Sequence, residues 1–101
     1  MNHMLANTGI KEQVQKEICR FAEIYQLEKV VLFGSRARGD YHRASDIDLA
    51  VWGGSVARFA VDVDEKTSTL LKYDVVDMDR DVSEELLASV QKEGQVLYEK
   101  V

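Results

Sequence analysis

The sequence has no proline and a single cysteine, Cys19, among its 101 residues. A lone thiol cannot close an internal disulfide, so the fold must rest on its core, and a reducing cytoplasm is the compartment expected. Cys19 follows Ile18 in a helical pattern and reads as a core thiol. The N-terminus lacks an apolar run of the kind that makes a signal peptide or a membrane span. Proline-rich, Gly/Ser-rich and single-sign tracts are missing too, which argues against a disordered arm. A basic excess is likewise absent. Thirteen Lys and Arg against eighteen Asp and Glu leave a net charge of −5, which disfavours bulk binding to a nucleic-acid backbone. What is there, 46% hydrophobic and 31% charged residues, suits one small domain spanning residues 1–101. A chain of this length is expected to have no room for a second, separate domain. Met1 to Met4 carry no weight, His3 included, and residues 1–9 are expected to form a poorly ordered extension.

Hydrophobic spacing orders the rest. Ile10, Val14, Ile18, Phe21, Ala22 and Tyr25 fall on one stripe of a helix. Val30 to Phe33 is a short apolar run, a buried strand stopped at Gly34. Asp46 to Trp52 alternates, with Ile47, Leu49 and Val51 on one face and Asp46, Asp48 and Ala50 on the other. Ser55 is placed to cap a helix carrying Val56, Phe59, Ala60, Val63, Leu70 and Leu71, although its stretch from Asp62 to Thr69 is polar. Tyr73 to Met78 predicts a third strand, and Ser83 opens a helix that ends at Gly94. Val96 to Tyr98 adds a short last strand. The fold class predicted is α/β (α+β), a small mixed sheet with helices packed on one face and the active site on the other.

The chemistry concentrates between the first two strands, in Gly34-Ser35-Arg36-Ala37-Arg38-Gly39-Asp40 and then Asp46-Ile47-Asp48. Acids at i and i+2 on a strand leave one face about 6.5 to 7 Å apart along the backbone, where a hard cation recruits both. Asp74 on a neighbouring strand would add a third carboxylate, and strand alternation turns its competitor Asp77 to the opposite face. Three carboxylates on one face repel one another unless cations or protons offset them, so the cluster makes little sense as structure alone. A strand ending in Gly34-Ser35 and turning into a helical segment presents backbone N–H groups, with a hydroxyl, to an anion. Arg36 and Arg38 either reach phosphate from that turn or are solvated surface side chains. Asp40, Asp79 and Asp81 read as turn residues, and His42 as a loop residue without a partner pattern.

Gly-Ser, ten residues, then Asp-x-Asp resembles the signature of the DNA polymerase β-like nucleotidyltransferases. "LFGSRARGD" and "SDIDLAV" are similar to the minimal, MNT-type members, and "KYDVVDMDRDVSEELLASVQKEGQVLYE" to the family's closing strand, helix and strand. The resemblance covers Val30 to Glu99. It implies that Gly34 and Ser35 bind nucleotide phosphates, that Asp46, Asp48 and Asp74 hold magnesium, as two ions, and that Asp74 activates the acceptor hydroxyl. It further implies AMP transfer from ATP with release of pyrophosphate. The acceptor it suggests is a tyrosine of a helical HEPN-type toxin, which would make this chain an antitoxin and the pair a hetero-oligomer. Two other readings compete with it: an antitoxin that masks its partner without catalysis, and transfer to a small molecule whose pocket a second subunit supplies.

Overall fold

Apolar residues three and four positions apart give helix α1 (Glu12–Ile24) a buried stripe of Val14, Ile18, Cys19 and Ala22. The computed structural model describes residues 1–101. In it α1 lies against a four-stranded sheet of β1 (Lys29–Phe33), β2 (Ile47–Trp52), β3 (Tyr73–Asp77) and β4 (Gln95–Glu99), in the order β3-β2-β1-β4. β1 is antiparallel to both its neighbours, whereas β2 and β3 are parallel. A parallel pair needs a crossover, and helix α3 (Val56–Lys66) supplies it. A single helical turn, α2 (Ser35–Arg38), follows β1, and α4 (Glu84–Glu93) leads into β4. The mixed α/β sheet is the fold class expected from the sequence.

Strand alternation divides the apolar residues between two cores. Val30, Leu32, Ile47, Leu49, Val51 and Leu97 face α1 and α3, where Ile18, Phe59 and Val63 close the larger one. Val31, Phe33 and Ala50 face the other way, under Val90 of α4, with Leu86, Val76 and Met78 around them. That second layer refines the sequence reading, because α4 shares the face that carries the acids. Its cause is β1, which is apolar on both sides and so must be covered on both. The polar end of the same face stays open, with Asp46 and Asp74 exposed.

Two local expectations change. The helix opened at Ser55 stops at Lys66, where the Thr67 hydroxyl donates back to the Val63 carbonyl at 2.6 Å, and Leu70 is fully exposed instead of sharing the buried stripe. The segment 1–9, expected to be a poorly ordered extension, instead runs along the fold. Asn2 bridges to Tyr98, the His3 N–H donates to the Leu97 carbonyl at 2.8 Å, and Thr8 is buried. It covers what would otherwise be an open edge of β4. Gln15, itself buried, fastens it to α1 by accepting from the Leu5 N–H at 2.8 Å and donating to the Leu5 and Ile10 carbonyls at 3.0 Å each. Replacing Gln15 by alanine strands these backbone groups. The expected loss is about 1–3 kcal/mol in urea unfolding, with faster amide exchange at Leu5. Unchanged exchange there would show that other contacts hold the segment.

Candidate active site

β1 carries the chain to Phe33, whose register partner across the antiparallel pair is Asp48. The next residue, Gly34, turns away with φ +77° and ψ −160°, a conformation that glycine alone takes without strain. A Cβ built on Gly34 would fall 2.1 Å from Asp48 Oδ2, so the turn and the acid are packed directly against each other. The Gly34 carbonyl accepts from the Ala37 and Arg38 N–H groups and starts α2 at Ser35. The first N–H groups of such a turn have no partner inside the helix. On the other side of β2, the parallel register sets Asp74 beside Asp48. Asp46 immediately precedes β2, with the same strand parity as Asp48. Asp77 sits opposite Val51 and pairs with Arg80 at 3.6 Å, away from this cluster.

The two arginines part company. Arg36 is 2% exposed and neither solvated nor directed at the open face. Its guanidinium donates to the carbonyls of Ser45 and Thr8 at 3.0 Å, Arg43 at 3.2 Å and His42 at 3.5 Å, and it lies 4.8 Å from the centre of the Tyr41 ring. A buried cation held by neutral carbonyls alone is satisfied by its rigid fork of donors. Through it the loop ending at Ser45, and with it Asp46 just before β2, is fixed to the turn that follows β1. Arg38 is half exposed and donates to Glu93 at 3.0 and 3.2 Å and to Asp40 at 3.2 Å. Glu93, the last residue of α4, also accepts from the Gly34 N–H at 3.1 Å. Hydrophobic periodicity gave no hint of Glu93. The one available signal was electrostatic, since an acid in the last turn opposes the helix dipole and wants a partner elsewhere. Cys19 takes no part, because burial pushes its thiol up to about 11.

Charge is the dominant feature of the cluster. Burial, followed by the neighbouring Asp74 and Asp46 carboxylates, pushes Asp48 up to about 6, with Arg38 acting in the opposite direction. Such an excess of negative oxygen donors fits a hard divalent cation. No three acidic, histidine or cysteine side chains lie close enough together to hold a metal as they stand. Asp46 and Asp74 are exposed, on the open part of the same face.

The raised Asp48 value fixes the sign of a pH effect on stability. Between the ordinary carboxylate value and about 6 the folded chain binds more protons than the unfolded one, so stability falls as pH rises through that window. In chelator, Asp48→Asn should therefore flatten the profile and raise both the Tm and the unfolding free energy at about pH 7.5, the latter by an amount on the order of 1–2 kcal/mol once partial exposure is discounted. A lower Tm for the variant would show that Asp48 stabilises the fold.

Known proteins resemble the chain in sequence and in fold. Residues 13–101 match the family described as polymerase beta, nucleotidyltransferase. A candidate protein adenylyltransferase of Methanocaldococcus jannaschii is 40% identical over 82 residues, 72% of this chain and 80% of that protein. Among solved structures, a chain of a toxin–antitoxin complex with AMP-PNP superposes with TM-score 0.70 at 26% identity, over 85% of this chain and 73% of that one. A chain from a variant of the MntA–HpeT toxin–antitoxin complex gives TM-score 0.67 at 26% identity, over 85% and 72%. With its glycine–serine turn packed against Asp48 and Asp74 in register beside that acid, the chain belongs to the polymerase beta nucleotidyltransferase family and is a nucleotidyltransferase.

Proposed function

We propose that the chain transfers AMP from ATP to a hydroxyl of a partner protein, a tyrosine of a HEPN-type helical toxin, and so acts as an antitoxin in the cytoplasm. The observation that carries this reading is the register of three strands. It sets Asp48 between the Gly34 turn and Asp74, with Asp46 one step away on the same parity. The neighbour solved with AMP-PNP in a toxin–antitoxin complex supports both the adenine nucleotide and the kind of partner. The relative described as a protein adenylyltransferase supports a protein acceptor.

In this mechanism Gly34 and Ser35 hold the terminal phosphates through backbone N–H and hydroxyl donors, leaving the α-phosphate over the aspartates. Asp46, Asp48 and Asp74 would hold magnesium, as two ions, which when bound supply charge neutralisation at the phosphates. The acceptor hydroxyl oxygen forms a bond to the α-phosphorus while the bond from that phosphorus to the bridging oxygen of the β-phosphate breaks. Pyrophosphate leaves, and Asp74 accepts the hydroxyl proton. Both Asp46 and Asp74 are exposed, so a large acceptor can approach them without a lid having to move.

Mixing the purified chain with the product of the neighbouring gene, magnesium and ATP labelled at the α-phosphate should move label onto that protein. Replacing both Asp46 and Asp48 by alanine should abolish the transfer with unchanged circular dichroism. Neutralisation of the partner without label would favour steric masking, and labelling of a small molecule in place of the protein would sink the protein-acceptor reading. Magnesium with AMP-PNP should raise the Tm of the wild-type chain by mass action, and no shift at millimolar concentrations would count against an occupied site.

A further inference from the structure

We infer that Glu93 is a built-in competitor for the nucleotide's phosphates, a side chain whose carboxylate occupies the anion-binding donors of the Gly34 turn and lowers the chain's affinity for a triphosphate. The inference rests on the proposed reading of that turn as the phosphate site. Its own observations are separate. The Glu93 carboxylate takes the Gly34 N–H at 3.1 Å and the Arg38 guanidinium at 3.0 and 3.2 Å, two donors of the kind a phosphate oxygen would use. Its side chain is only 16% exposed, so it lies in the turn and not in solvent.

Glu93 is also placed firmly. The neighbouring Gly94 ends α4 so close to β1 that a Cβ there would fall 2.6 Å from Val31 Cγ1 and 2.3 Å from the Val90 carbonyl oxygen. Gln95 then donates to the Ala37 carbonyl at 2.7 Å, joining the start of β4 to α2. The backbone that carries Glu93 is thus pinned on both sides, and the acid can leave the turn only by side-chain rotation. Its charge adds to that of the three aspartates, and Glu93 is among the groups that raise Asp48. An incoming triphosphate therefore has to displace one carboxylate from its donors and then sit beside it.

Glu93→Gln removes the charge and keeps an oxygen acceptor for the Gly34 N–H, so the turn stays held. Glu93→Ala removes both. Binding is measured by titration calorimetry with two probes, AMP-PNP with magnesium and inorganic tripolyphosphate without metal. Glu85→Gln, an exposed α4 acid of equal charge, serves as the control for net charge. The expected result is a Kd three- to tenfold lower, roughly, for Glu93→Gln with both probes and little change for Glu85→Gln. Equal or weaker binding by both Glu93 variants, with the wild type binding AMP-PNP, would overturn the inference and make Glu93 a strut of the turn. An equal gain from Glu85→Gln would overturn it as well, by tracing the effect to net charge. Tighter tripolyphosphate binding by Glu93→Gln with no variant taking AMP-PNP would keep the competitor and sink the nucleotide reading. Failure of every variant with either probe would overturn both.

Discussion

The contact between Gly34 and Asp48 is the constraint on which the rest of the site depends. A turn that must lie against a carboxylate cannot carry a side chain, and the backbone conformation required there is one that side chains resist. Once that contact is made, topology places the other groups. β1 is antiparallel to β2, so the end of one strand lies at the start of the other, and Phe33 faces Asp48. β2 is parallel to β3, so the start of β3 lies there too, and Asp74 falls beside Asp48. β4 is antiparallel to β1, with Gln95 at its beginning opposite Leu32 near the end of β1. Glu93, two residues before it at the end of α4, is thereby carried to the turn, where it accepts from the Gly34 N–H. Four segments far apart in sequence thus bring their polar residues to one end of one sheet.

Much of this was legible from periodicity because the signals involved are short-range. Alternation in β2 separated Ile47, Leu49 and Val51 from Asp48 and Ala50, and the same parity in β3 put Asp74 and Asp77 on opposite faces, as the structure has them. Ser83 caps α4 as its position suggested, its hydroxyl accepting from the Leu86 N–H at 3.1 Å. The residues that escaped do their work over long sequence distances. Arg36 reads as either a phosphate contact or a solvated side chain, and no pattern within its own helix announces that the loop before Asp46 and the segment around Thr8 bury it. Gln15 is similar. It sits on the edge of an amphipathic stripe, yet its three bonds go to Leu5 and Ile10, outside the helix. Leu70 errs in the other direction, since its fit to the helical stripe of α3 depended on a helix that the Thr67 back-bond ends at Lys66.

The two arginines of the turn show how position divides one chemistry into two tasks. Both are always charged and offer the same fork of donors. Arg36, pointing inward, donates only to carbonyl oxygens, beside the Tyr41 ring, and serves to tie the loop of Asp46 to the turn that follows β1. Arg38, two residues on and half exposed, meets carboxylates and belongs to the electrostatics of the open face. Two positions along a helical turn of four residues separate a cation satisfied by carbonyls from one that pairs with carboxylates.

Charge explains why the open face and the apolar layer beneath α4 can coexist on one side of the sheet. Four acids at one end of a small sheet oppose folding, and Arg38 is the cation seated among them. Their repulsion has to be outweighed by the two apolar cores, the larger of which closes on the face away from the acids. A site built this way is stabilised by whatever neutralises it, because a cation that binds the folded chain relieves a strain that the unfolded chain does not have. Binding and folding are then coupled through the same carboxylates, and the residues that make the site costly when unliganded are the ones that make it selective for ligands bearing positive charge. On the proposed reading a bare triphosphate meets Glu93 and three aspartates together, and it binds more weakly than one that cations accompany.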